Sequence, residues 1–367
     1  MRRVVLILLC LLPAAAEPGF PGKEWEKASP AETAGYSTRR LEALRAYVRS
    51  IDTTAVMAIA GGRVVFAEGD LTHLSYLASV RKSVLAMLYG KYVADGSIRL
   101  DRTLGDLGLT DRGSLLPIEQ QATVEHLITA RSGIYHPASN PGDSTAFAPA
   151  RGSQRPGAYF LYNNWDFNAA GAAFEKMTGR DIYDALESDL ARPVGMQDFA
   201  RAQQRKSGDM ERSEYPAYHM WLSTRDMARL GLLMLREGEW AGRQVIPRDW
   251  VQKISGLVTP LRDLNPEAQR TGSYGAGQLW AYGYMWWVWD APKSRGPFDR
   301  AYTGMGAGGQ YITVLPALDL AVAHKTDMQQ TPADGRQRNR NVSLGEYHGI
   351  LSLLIAARCL PNCAAAP

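Results

Sequence analysis

Apolar positions along the chain change their period twice. Over residues 38–48 they recur at helical spacing and predict an amphipathic helix. Residues 55–60 and 63–67 are β-type runs joined by Gly61-Gly62, a hairpin signal. Val80, Val84, Leu85, Leu88 and Tyr92 then form an apolar stripe at helical spacing. From 101 to 238 the pattern is mostly helical, with long polar loops. Helices are predicted over 123–129, 168–177 and 223–236, the last capped by Ser223 or Thr224 and followed by Gly238. Residues 240–242 read as a tight turn. β character returns over 282–289, 310–315 and 320–325, the last two split by Pro316-Ala317. Residues 344–357 close the pattern as a helix.

Strands at both ends with helices between them predict an α/β sandwich. One antiparallel sheet is drawn from both chain ends and flanked by helices, and a mainly helical lobe is inserted. Residues 17–100 and 240–367 supply the α/β part and residues 101–239 the lobe, within a single domain spanning 17–367. Residues 17–36, rich in Pro, Gly and Glu, read as a surface arm. A cleft between two lobes is where ligands usually bind.

Composition changes this picture little. An apolar fraction of 46% over 367 residues is that of an ordinary globular protein. The formal net charge is +4 and the basic residues do not cluster, so no nucleic-acid surface is indicated. The densest run, Arg336, Arg338 and Arg340, lies in a polar stretch and reads as a solvated face. The first residues do add something. Arg2 and Arg3 precede a short apolar core, and Ala14-Ala15-Ala16 offers a cleavage site. Residues 1–16 therefore read as a signal peptide, and the chain as secreted or periplasmic, with no membrane span after cleavage. Cys359 and Cys363 would then be the only cysteines left. They can pair as a tail staple or stay as free thiols. No metal-ligand spacing and no cofactor motif are present.

Candidate chemistry comes from three short motifs. Ser79-Val80-Arg81-Lys82 is the only S-x-x-K in the chain. On a helix it puts a hydroxyl and an amine on one face, one turn apart. A serine hydroxyl becomes a good nucleophile when a neighbouring base takes its proton. The plainer reading is a capping serine followed by a solvated lysine. Tyr162-Asn163-Asn164 is the only Y-x-N. A tyrosine can relay a proton to a leaving group, and an amide can hold a lysine or a substrate carbonyl. Its plainer reading is a turn before a helix. The third motif runs from Tyr302 to Gln310 and contains G-x-G-x-x-G from Gly304 to Gly309. A dinucleotide fingerprint would open a helix, whereas here a strand follows. The glycines suggest a backbone that comes close to something. The Ala307 N–H can pair with that of Ser79 as an oxyanion hole. A glycine-rich hairpin lead-in is the alternative.

S-x-x-K, then Y-x-N, then a glycine-rich strand entry is the order found in the β-lactamase-related, penicillin-recognising serine hydrolases. The flanking text resembles that family too, at Leu127-Ile128-Thr129-Ala130-Arg131-Ser132-Gly133-Ile134 and Ser223-Thr224-Arg225-Asp226. The likeness runs from about residue 55 to 357. It looks closest to the class C-like branch of esterases, D-amino-acid peptidases and 6-aminohexanoate-oligomer hydrolases. The resemblance implies that Ser79 is acylated, Lys82 is the general base, Tyr162 shuttles the proton and Asn164 steadies Lys82 or the substrate. Ser79 and Ala307 would form the oxyanion hole.

One departure matters. The family's β-lactamases and peptidases usually carry Lys or His in the third motif, followed by a small residue and Gly. Here the stretch is Gly304-Met305-Gly306, with no cation to bind a substrate carboxylate. The expectation is therefore an exported ester or amide hydrolase acting on a small molecule. A β-lactamase or D-alanyl-D-alanine-type peptidase is one alternative. A non-catalytic cell-wall-fragment binder on the same scaffold is another. Gly306 and His136 are candidate substrate contacts, while Trp286, Trp287 and Trp289 read as core. Substrate choice is expected to lie in loops 133–156 and 257–277.

Overall fold

The computed structural model describes residues 19–142, 144–266, 279–290, 296–329 and 340–359. Its centre is a seven-stranded antiparallel sheet. The strand order is Arg63–Gly69, Ala55–Ala60, Leu320–Lys325, Gln310–Leu315, Tyr302–Gly306, Trp287–Trp289, Trp280–Tyr282. The two chain ends thus meet inside one sheet, where Ala55–Ala60 pairs with Leu320–Lys325. Gly61 and Gly62 both take positive φ (57° and 77°), which closes the first hairpin as a two-residue turn.

The three continuous apolar strands, Ala55–Ala60, Gln310–Leu315 and Leu320–Lys325, are buried along their whole length. Both faces of the sheet are covered. The helices Thr38–Ser50 and Leu344–Ala356 pack together over one face, with Leu44, Val56, Val322, Tyr347 and Ile350 in a shared core. Thr224–Leu235 lies across the other, against Ala55–Ala60, Gln310–Leu315 and Leu320–Lys325. Val80–Ala94 packs beside it against Tyr302–Gly306. The inserted helical region, including Val124–Ile128 and Asn164–Thr178, packs on the far side of Val80–Ala94 and completes the larger core.

Two details differ from the sequence expectation. Residues 282–289 do not form one strand. The chain reverses over Gly283–Trp286, where Gly283 N–H donates to Trp286 O (2.8 Å), so Trp287 lies opposite Tyr282. A methyl group at Gly283 would stand 2.6 Å from Gly256 O, so only glycine fits this bend. The helix expected over 168–177 starts four residues earlier, as Asn164–Thr178. Asn163 caps it by accepting from Asp166 N–H at 2.8 Å. Residues 19–36 run over the surface and are fastened there. Phe20 packs on Trp240 with ring centroids 5.4 Å apart, and Arg229 donates to Gly22 O and Lys23 O. Cys359 is disulfide-bonded. Cys363 and the signal-peptide reading of residues 1–16 lie outside the described residues.

Candidate active site

The segment before Ser79 is a short strand, Ser75–Tyr76, paired with Trp221–Leu222. Ala78 then takes φ 47°, turning the chain sharply into the helix Val80–Ala94. A non-glycine residue in this region carries local strain, and the bend sets Ser79 at the helix start. Ser79 occupies the N-cap position, yet its side chain makes no capping hydrogen bond. Lys82, one turn on, is only 1% exposed. The plainer reading, a capping serine and a solvated lysine, thus fails on both residues. The helix is buried on nearly every side rather than along one stripe. Its Arg81 is buried as well, donating to Asn168 Oδ1 (3.0 Å) over the Tyr218 ring.

Lys82 Nζ donates to Tyr162 Oη at 2.6 Å and to Asn164 Oδ1 at 2.7 Å. The S-x-x-K and Y-x-N motifs, 80 residues apart in sequence, therefore share one hydrogen-bonded group. The early helix start explains Asn164: it sits in the first turn of Asn164–Thr178, and its Nδ2 donates to Pro141 O at 2.8 Å. One amide thus links Lys82 to the loop around residue 141. Lys82 Nζ also lies 4.1 Å from the Tyr162 ring centroid and 4.3 Å from that of Phe167. Aromatic faces favour a cation there.

The glycine-rich segment is a hairpin lead-in, with Gly306 opposite Gln310 across the turn Ala307-Gly308-Gly309. It opens no helix, so the dinucleotide reading is excluded on structure as well. Close approach is the reason for its glycines. A methyl group at Gly304 would stand 2.9 Å from Ser83 Oγ. One at Gly306 would stand 2.6 Å from Leu77 O and 3.1 Å from Ser79 N. The strand edge thereby comes against the backbone of the serine turn. His324 Nδ1 donates to Gly309 O at 2.8 Å from beneath the turn. Burial pushes this histidine down to about 4, so the ring is neutral at ordinary pH.

Ser79, Tyr162, Gly306 and Ala307 all line one cavity of about 560 Å³. Trp287, Met305, Tyr311, Val342 and Leu344 give it apolar and aromatic walls, while Gly142, Ser144, Asn341 and Ser343 add small polar groups. None of the described lining residues carries a charged side chain. Gly142 and Ser144 belong to the loop expected to shape specificity. Much of the other such loop, 267–277, lies outside the described residues.

Two expectations are corrected. His136 does not reach the cavity: it is buried, with Nε2 2.7 Å from Arg112 O and Nδ1 3.1 Å from Pro137 O and 3.7 Å from Asp111. Its role in this structure is to hold loops together. Of the three tryptophans, Trp286 is core, but Trp287 is part of the cavity wall. The hairpin at Gly283–Trp286 turns it there, stacked on Tyr162. Tyr311 and the segment 341–344 were not anticipated, because their place follows from sheet order, which no local pattern carries.

The fold recurs among solved structures. The proposed 6-aminohexanoate-dimer hydrolase of Bacillus anthracis is 16% identical, with a TM-score of 0.63 over 91% of this chain and 86% of that one. A β-lactamase from Mycobacterium bovis is 20% identical (TM-score 0.59; 88% of this chain, 100% of the other). A penicillin-binding protein homologue from Caulobacter crescentus is 16% identical (TM-score 0.61; 88% and 99%). No curated protein sequence matches. The Beta-lactamase family model matches residues 40–346, nearly the whole described chain. This protein therefore belongs to the β-lactamase family and is a serine hydrolase of the β-lactamase-related fold.

Proposed function

We propose that this chain hydrolyses uncharged esters or amides through an acyl-enzyme on Ser79. The observation that carries the reading is the convergence of three motifs on one cavity. Ser79, Tyr162 and Ala307 line it, and Lys82 lies 2.6 Å behind Tyr162. Ser79 Oγ attacks the substrate carbonyl carbon and gives its proton to the Lys82–Tyr162 pair, with Lys82 as general base. The carbonyl oxygen becomes an oxyanion facing the N–H groups of Ser79 and Ala307. Collapse expels the alcohol or amine, which takes a proton from Tyr162. Water then attacks the acyl-enzyme and gives its proton to the same pair, and collapse of this second tetrahedral state breaks the Ser79 ester, releases the acid and returns the proton to Ser79 Oγ. Asn164 holds Lys82 in place throughout.

The substrate class follows from the walls. A buried carboxylate needs a cation partner, and the described lining offers none. Aromatic and aliphatic walls suit a neutral acyl group. This favours esters and amides over β-lactams and peptide carboxylates. Export, argued from residues 1–16, is part of the same proposal. No helix among the described residues is long and apolar enough to cross a membrane.

The test is a panel of chromogenic esters, D-amino amides and nitrocefin, run on the wild type and Ser79→Ala. Ester or amide turnover that Ser79→Ala abolishes, together with loss of fluorophosphonate labelling, is the expected result. Undiminished labelling of Ser79→Ala overturns it. Nitrocefin turnover exceeding that of esters would transfer the assignment to a β-lactamase.

A further inference from the structure

The oxyanion hole proposed above has two halves that come from distant parts of the chain. One half is the serine turn, entered from Ser75–Tyr76. The other is the Ala307-Gly308-Gly309 turn. Two consecutive residues, His324 and Lys325, end the strand Leu320–Lys325, which pairs with Gln310–Leu315, the strand that leaves the second turn. Successive side chains on a strand point to opposite faces, and these two do so. His324 enters the core on the side of Leu344–Ala356, 5.5 Å from the Tyr347 ring, and reaches Gly309 O at 2.8 Å. Thr53 Oγ1 holds its other nitrogen at 3.0 Å. Lys325 turns to the opposite side and donates to Ser75 O at 2.6 Å and Leu222 O at 2.8 Å. Both side chains are at most 1% exposed.

We infer that His324 and Lys325 are the positioning pair that sets the distance between the Ser79 and Ala307 amides. Each grips one half from a shared backbone unit, so a shift of either half must strain that strand. The arrangement also accounts for an otherwise costly choice. A lysine in a fully buried site loses its hydration, yet Lys325 meets two backbone carbonyls rather than a carboxylate. A purely packing position would carry an apolar residue. Where the two halves touch, the clearance is already below that of a methyl group, between Gly306 and Leu77 O. Small movements there translate directly into donor geometry. The inference rests on the Ser79 acyl-enzyme reading.

The test uses His324→Phe and Lys325→Met, which keep the bulk and remove the donors, and His324→Asn and Lys325→Arg, which keep an N–H. Steady-state rates on the best ester of the panel are expressed per folded molecule, measured by near-ultraviolet circular dichroism. Positioning predicts a kcat loss of about 10- to 100-fold in the Phe and Met variants, with KM within about threefold. It also predicts an equal loss of affinity for a boronic acid that mimics the tetrahedral state, and partial recovery in Asn and Arg. A merely structural role lowers the melting temperature and leaves kcat and boronate affinity per folded molecule at the wild-type value. That outcome overturns the inference. If wild-type turnover survives Ser79→Ala, the acyl-enzyme reading itself fails. If Ser79→Ala is inactive while the four variants keep wild-type kcat, only the positioning pair fails.

Discussion

Tyr162 and Trp287 lie face against face, ring centroids 5.6 Å apart and planes at 29°, on one wall of the cavity that holds Ser79. The stack separates two properties of Tyr162. Its ring is held by Trp287, Phe167 and Tyr282, while its hydroxyl meets Lys82. Tyr162→Phe keeps the first and removes the second. A proton relay lost from a positioned side chain costs about 10²- to 10⁴-fold, so kcat should fall by that much with KM little changed. The melting temperature should stay within about 2 °C, since about 1 kcal/mol shifts it by roughly 1–2 °C in a chain this long. Steady-state kinetics and a thermal melt on the same preparation check both halves.

Gly306→Ala isolates the contact between the two halves of the proposed oxyanion hole. The added methyl would meet Leu77 O at 2.6 Å, Gln310 Cβ at 2.9 Å and Ser79 N at 3.1 Å. Two of these are backbone atoms and cannot swing aside, so the strand edge must retreat from the serine turn. Overpacking of this kind costs about 1–3 kcal/mol in stability. Misplacement near 1 Å costs about 10²-fold in rate. The expected result is a folded, mildly destabilised protein labelled by fluorophosphonate about 10²-fold more slowly. A wild-type labelling rate would show that the Gly306 edge does not set the donor geometry.

His136 offers the converse. Its ring nitrogens face carbonyl oxygens of Arg112 and Pro137, away from the cavity lining. His136→Ala should destabilise the protein by about 1–3 kcal/mol, the cost of leaving buried polar groups unpaired. kcat and KM per folded molecule should not move. Urea unfolding and ester kinetics together distinguish this loop-holding role from the substrate contact its sequence position suggests.

The sequence marks the motifs that converge on the cavity better than it marks the cavity's walls. Ser79 and Lys82 share one helical turn and Tyr162 and Asn164 one short segment, so each motif is legible locally, whereas their meeting across 80 residues follows from the fold. The Gly61-Gly62 hairpin and the Ser223-capped helix are legible locally too. Trp287 reads as core because a run of aromatics resembles one strand, whereas Gly283 and the reversal to Trp286 make two. Asn164 entered a helix only because Asn163 outcompetes later cap positions. Tyr311 and Val342 reach the cavity through the order in which strands pair, a long-range property that no window of sequence records. Lys325, a buried amine at the end of an apolar strand, has carbonyl partners on distant segments that no local pattern records.

Two buried bases shape the pH dependence of stability, and their signs agree. Burial lowers the His324 pKa to about 4, from an ordinary 6.5. Between those values the unfolded chain takes a proton that the folded protein refuses, so stability falls as pH drops from 6.5 to 4. For a fully buried group the loss is about 3 kcal/mol at most. His219, also lowered to about 4 by burial and then by Arg81, adds in the same window. Burial lowers Lys325 to about 7 from 10.5. The unfolded chain again binds the extra proton, so stability climbs with pH above 7, by at most about 1.4 kcal/mol per unit. Carboxylates such as Asp111 act elsewhere. Burial raises its pKa, but hydrogen bonds from Ser213, Glu214 and Trp165 outweigh this and hold it below the ordinary value, so its contribution is lost only below about pH 3.8. Urea unfolding at pH 4.5, 6.5, 7 and 9 should therefore give stabilities that rise in two steps. His324→Phe should shrink the acid step to the share of His219, and Lys325→Met should flatten the alkaline one, each without touching the other. A single flat curve above pH 4.5 would mean that both groups titrate in the folded protein as they do in water.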